Sequence, residues 1–248
     1  MSLTSTQLLV VLLASGLGAL IKSVTGLGYP LIAVPLISLV LGIEDAVVII
    51  AIPNLAANAF LCWESRDAQA QTRDLGRLCG LGVVGAVIGT IALVNLPEQP
   101  FLIVLALSIL LFLFQFIRKP EFSFSPAFTR RWSPAVGLLA GAMQGAIGVS
   151  GPIVATWFHS YRLPARAYIH SLTFMFGVTG AVQLVILLGQ GQMTPDRLVG
   201  AVVASVAVAV ATPIGLRLRK RLAGPSFEKL VLLTLVVSAV ALIFDALS

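Results

Sequence analysis

The chain has 248 residues, of which 58% are hydrophobic and only 10% charged, and its mean hydropathy is +1.02. A soluble domain charges roughly a quarter of its residues, so a water-facing globule is excluded, and long unbroken oily runs without apolar–polar alternation exclude a transmembrane β-barrel. The formal charge of +6 does not indicate nucleic acid, because the basic residues fall in short loops where they set membrane topology.

Oily segments are predicted at 6–21, 28–43, 46–63, 75–95, 99–117, 133–149, 151–161, 167–188, 197–216 and 229–247. Most are long enough, or nearly so, to cross about 30 Å of hydrocarbon. Segments 28–43 and 151–161 are short, and each follows a glycine-rich break. The N-terminal run has no basic residue before it, which argues for a retained first helix rather than a cleaved signal. Cys62 and Cys79 flank a basic loop and form no metal or redox motif, so both read as reduced packing side chains.

Charge placement orders the segments. If the chain reverses direction at each break, one set of loops holds Arg66, Arg73, Arg77, Arg118, Lys119, Arg130, Arg131, Arg162, Arg166, Arg217, Arg219, Lys220, Arg221 and Lys229. The other set holds Arg197 alone among basic residues, with Glu44, Asp45, Glu98, Asp196 and Asp245. Reading the breaks as mere kinks would erase that bias, so the positive-inside rule favours two reversals and both termini outside a cytoplasmic membrane.

The two breaks align with each other. GLGYPLIAVPLIS (26–38) against GVSGPIVATWFHS (148–160) matches Gly26 with Gly148, Pro30 with Pro152, Ala33 with Ala155 and Ser38 with Ser160. Each break belongs to a hairpin followed by three long spans. This divides the chain into a first repeat, 1–117, a cytoplasmic linker, 118–132, and a second repeat, 133–248. Hairpins are expected at 6–43 and 133–161. With five segments per repeat, the second half must lie inverted. The expected fold class is therefore all-α integral membrane, with two inverted-topology repeats, each a broken or re-entrant hairpin plus three transmembrane helices. Inverted repeats with interrupted helices mark transporters whose site lies where the breaks meet.

Gly-rich breaks such as GLGYPLIAVPLIS and GAMQGAIGVSGPI, opening two halves of a small oily chain, resemble the TauE/SafE family of sulfite exporters. The resemblance covers essentially the whole chain, although Tyr29 and Ser150 dilute the family's run of successive glycines. It implies export of sulfite, sulfoacetate or related organosulfonates.

The residues themselves point to an anion. A helix that starts inside the bilayer leaves up to four amide N–H groups unbonded, and its dipole puts partial positive charge at the same point. Pro30 and Pro152 fit the first turns of such helices. Gly26, Gly28, Gly148 and Gly151 admit close backbone approach, Thr25 and Ser150 stand where an N-cap or ligand hydroxyl would be, and Tyr29 lies within the first break. Lys22 is either a site cation or a snorkelling side chain. Asn54 and Asn58, four apart, either donate to the anion or bond between helices. Gln144 precedes the second break, and Gln183 lies deep in its span. His170 and Thr173 occupy the early part of the eighth segment, where His170 is a better proton-coupling candidate than His159. Trp63 and Trp132 fit interfacial belts.

No Walker-type loop is present, so energy must come from an ion gradient, the membrane potential or the substrate's own gradient. An embedded enzyme lacks the catalytic constellation it needs. No cofactor or metal is implied. The expected partners are a small anion and membrane lipid, with the chain a monomer or homodimer. An anion channel, or an importer of another oxyanion, remains the alternative.

Overall fold

A computed structural model describes residues 3–25, 28–118, 123–222 and 225–247. Its side chains are described except at 24–25, 218–231 and 247. The described residues form ten α-helices: α1 Ser5–Thr25, α2 Tyr29–Leu41, α3 Ile43–Glu64, α4 Leu75–Asn95, α5 Gln99–Arg118, α6 Pro126–Ile147, α7 Gly151–His159, α8 Ala165–Gly189, α9 Pro195–Leu222 and α10 Pro225–Leu247. A 3-10 turn, Arg66–Gln71, joins α3 to α4. Among the described residues, six helices are long and apolar enough to cross a membrane: α1, α3, α4, α5, α8 and α9. The protein is therefore a multi-pass, all-helical membrane protein.

Each predicted oily segment corresponds to one helix, and the differences lie at polar ends. Helix α6 begins at Pro126, well before residue 133. Ser125 caps it by accepting from the Phe128 N–H at 3.2 Å, and Pro126 takes the first helical turn. Arg130 and Arg131 are exposed in its opening turns, so the helix is longer than its oily stretch. Helix α9 runs on through the basic residues after 216 to Leu222, because Arg, Lys and Leu are good helix formers.

Glycine sets the tightest packing. Helices α4 and α6 run parallel in register. A Cβ on Gly137 would lie 2.1 Å from the Leu78 carbonyl oxygen, one on Gly141 1.9 Å from that of Gly82, and one on Gly145 2.4 Å from that of Ala86. Gly85 and Gly89 on α4 return the same approach to Leu138 and Ala142 on α6. No other residue type allows these backbones to touch, and small-residue seams of this kind drive helix association in lipid. Helix α1 packs on α9 in a related way, with Gly215 against Ser23. Several of the packed pairs are related by an exchange of α1–α5 with α6–α10: α4 on α6 corresponds to α1 on α9, and α4 on α8 to α3 on α9, while α3 on α8 and α5 on α10 map onto themselves.

The two ends of the bundle differ chemically. At one end Arg197 donates to Asp45 at 2.6 Å and to Glu44 at 2.7 Å, and bonds the Gln192 carbonyl at 3.0 Å. Glu98 sits over Gly42 and accepts from the Ile43 N–H. Burial pushes its carboxyl above the ordinary range, and Glu44, Asp45 and Asp245 add to that shift. At the other end Arg166 bonds Asp67 at 2.7 Å, holding that carboxyl below its usual range. There the Tyr161 hydroxyl donates to Asp74 at 3.2 Å and accepts from Trp157 Nε1 at 2.7 Å, while Arg73 lies over the Tyr161 ring.

Candidate functional site

Both breaks are followed by short helices. At 1.5 Å per residue α2 is about 20 Å long and α7 about 14 Å, so neither returning arm spans 30 Å of hydrocarbon. Gly28 (φ 115°) opens α2 and Gly148 (φ 67°) ends α6, both in the left-handed region where a side chain is strained. Helical bonding begins with Ile32 N–H to Gly28 and Val154 N–H to Ser150. The amides of Tyr29, Leu31, Gly151 and Ile153 thus precede the ladder, while Pro30 and Pro152 carry no N–H. The hairpins also meet, since the position of a Gly148 Cβ is 3.7 Å from Val34 of α2.

One cavity of about 810 Å³ touches both breaks. Gly28, Pro30 and Leu31 line it from the first, and Gly148, Val149, Ser150, Gly151 and Pro152 from the second. Lys22, Asn54, Asn58, Gln144 and Thr173 add polar side chains to its wall. Three of them are linked: Lys22 Nζ donates to Asn58 Oδ1 at 3.0 Å, and Asn58 Nδ2 donates to Asn54 Oδ1 at 3.2 Å. The two amides thus orient each other and the ammonium. Among the described residues no carboxylate lines the cavity or pairs with Lys22.

Gln144 is the second polar anchor. Its Oε1 accepts from Ser150 Oγ at 3.2 Å, whereas its Nε2 is buried with no partner. A buried donor without a partner is costly, and is a place to look for an absent ligand. Gln183 steadies the end of α6 by donating to the Gln144 and Gly145 carbonyls at 2.9 and 3.1 Å. It is a strut for the break and does not line the cavity.

Several sequence expectations change. Gly26 and the side chain of Thr25 lie outside the described residues. Ser150 does precede α7 but makes no side-chain cap bond, because its hydroxyl is turned to Gln144. Gly28, not a hydroxyl residue, precedes α2. Tyr29 is not on the cavity wall: it is buried in the core, its hydroxyl 3.5 Å from Ser15 Oγ. His170 is also off the wall. Its Nδ1 meets the Cys62 carbonyl at 3.2 Å and Ser65 Oγ at 3.4 Å, its ring stacks on Phe174, and its buried Nε2 has no partner. His159, ranked lower from sequence, does line the cavity. Sequence reasoning also missed Arg162, held at φ 51° in the turn after α7, and Phe112, Phe158, Tyr168 and Phe176. Phe158 and Tyr168 lie beside polar residues (His159 and Ser160; Arg166, His170 and Ser171), whereas Phe112 and Phe176 have mostly apolar neighbours, so the alternation did not single out an inward aromatic face.

The fold and this cavity define a polytopic membrane protein with two interrupted hairpins around a cationic pocket. A family model described as sulfite exporter TauE/SafE matches residues 11–242, nearly the whole chain, and the protein belongs to that family. No curated protein and no solved structure gives a match. The sulfite-exporter family is one of transporters of sulfur compounds.

Proposed function

We propose that the protein is a secondary transporter that exports small sulfur-containing anions, sulfite or organosulfonates, across the cytoplasmic membrane. One observation carries this reading: the cavity shared by both breaks holds a lysine whose described partner is neutral Asn58, with no lining carboxylate among the described residues. A lysine inside the bilayer without a counter-ion is costly to keep. An oxyanion on Lys22 Nζ supplies that counter-ion, and the free amides at the starts of α2 and α7 supply further donors. Asn54, Asn58, Gln144, Ser150 and Thr173 complete the polar wall.

In this reading the two halves are inverted repeats, and the basic end of the bundle faces the cytoplasm. Export of a monoanion releases roughly 2.3 kcal/mol at a potential of −100 mV, so outward movement needs no coupling ion. The test is flux from proteoliposomes loaded with sulfite or methanesulfonate at set potentials. Saturable efflux that grows with internal negative potential supports the carrier. Ohmic, non-saturating currents would favour a channel, and absence of flux for every sulfur anion would remove the reading.

A further inference from the structure

The cavity meets one end of the bundle and not the other. Exposed His159, Arg162 and Ala165 line its mouth at the basic end. Toward the Arg197 end its walls stop at Asn54 on α3 and Phe176 on α8. Between Asn54 and the start of α3 at Ile43 lie about 16 Å of helix, in which Ile43, Ala46, Val47, Val48, Ile49 and Ile50 are each no more than 1% exposed. Ile49 fills the seam between α3 and α9, where a Cβ on Gly200 would lie 2.9 Å from its Cδ1. Packing seals this end, and Arg197 ties the seal across α3 and α9.

The ties at the two ends are unequal. The Arg197 side chain is 16% exposed and donates to Asp45 at 2.6 Å and Glu44 at 2.7 Å in the first turn of α3, and to the Gln192 carbonyl and side chain. Charge-assisted bonds of this kind are short and strong. At the basic end Arg166 is 60% exposed and Asp67 63%, so their bond contributes little. The internal repeat gives Arg166 a second partner. Glu44 is the second residue of α3 and Arg166 the second of α8, at the same offset as Gly148 from Gly26. The start of α9, with Arg197, corresponds to the start of α4, which Asp74 precedes. The signs are exchanged: an acidic α3 meets a basic α9 at one end, and a basic α8 neighbours an acidic residue ahead of α4 at the other. The contacts of Asp74 with Arg73 and Arg77, at 3.6 and 3.7 Å, are longer than hydrogen bonds, and the Tyr161 hydroxyl joins it to the turn between α7 and α8.

Resting on the carrier reading with inverted halves, we infer that Arg197 latches one gate of the cavity and Arg166 the other. Release of Arg197 from Glu44 and Asp45 lets α9 part from α3 and opens the cavity at that end. Arg166 then leaves Asp67 for Asp74 and draws the start of α8, with Ala165, over the mouth at the basic end. One ion pair forms as the other breaks, so one gate is open at a time. Packed interfaces switch between discrete arrangements of this kind, and carriers built on inverted repeats rock about a fixed site.

The test is thiol labelling of the full chain in lipid nanodiscs with a water-soluble maleimide, in a Cys62→Ser, Cys79→Ser background. Ile49→Cys reports the seal and Ala165→Cys the mouth. Leu78→Cys, buried in the core near the basic end, reports general loosening. Arg197→Gln is expected to speed labelling at Ile49→Cys by about fivefold or more, to slow it at Ala165→Cys and to leave Leu78→Cys unreactive. Arg197→Lys should lie between, since it keeps the charge but not the planar fork. Arg166→Gln, added to Arg197→Gln, should return both rates toward their starting values. Unchanged rates in Arg197→Gln, faster labelling at all three positions, or no effect of Arg166→Gln would overturn the paired latches. Reciprocal labelling in a chain that moves no sulfur anion would remove the carrier reading and leave the latches standing.

Discussion

Replacing Lys22 by Gln separates a ligand-contacting lysine from a structural one. The glutamine amide can keep a hydrogen bond to Asn58 Oδ1, now 3.0 Å from Nζ, but loses the charge. A hydrogen bond to a charged group contributes about 1.5–3 kcal/mol, so anion affinity should fall roughly 10- to 150-fold. At an anion concentration of 100 times the wild-type Kd, the wild type gains about 2.7 kcal/mol of stability, and the variant should gain only about 0.3–1.4 kcal/mol. Without anion the variant should be at least as stable as the wild type, because it removes a charge inside the layer that has no described counter-ion. The assay is thermal unfolding of purified protein with and without methanesulfonate. Equal stabilisation of both proteins, or a variant destabilised without ligand, would refute a ligand-contacting role and favour a structural one.

Other outcomes follow from the same geometry. Gly141→Val should lower stability by about 1–3 kcal/mol or more, since its Cβ would fall 1.9 Å from the Gly82 carbonyl and force α4 and α6 apart. Gly151→Val meets nothing within 4 Å. It should fold normally yet weaken methanesulfonate binding by about tenfold, because it crowds the first amides of α7. Gln144→Leu removes the buried, unpartnered Nε2 and should likewise weaken binding, measured by titration, with little loss of melting temperature. Glu98 has a raised carboxyl pKa, so its contribution to stability is fully present below its ordinary value of 4.5 and is lost as pH rises through the folded value. Glu98→Gln should flatten the fall in melting temperature with rising pH over that range, and identical pH profiles would contradict this.

The legible and illegible parts of the sequence divide by how much each residue type constrains its surroundings. Ten helices were readable because oily runs must be helical in lipid, and the breaks because Gly28, Pro30, Gly148 and Pro152 interrupt them. Lys22, Asn58 and Gln144 stood out because a polar side chain in such a run needs a reason, and the structure puts all three on one cavity. Rotation about the helix axis was not readable. Between its ends helix α5 carries only Ser108 and Gln115 as polar residues, too few to separate inward Phe112 from exposed Phe114. Short-range competition was not readable either, as when Ser150 chose Gln144 over its own helix start and His170 turned to Cys62 and Ser65.

A structure of the protein with 2-bromoethanesulfonate, located by the bromine anomalous signal, decides whether an anion binds at the hairpin breaks. The sulfonate is predicted within hydrogen-bonding distance of Lys22 Nζ and the first amides of α7. Bromine found only at the bundle surface, or a cavity left empty at saturating ligand, would contradict it.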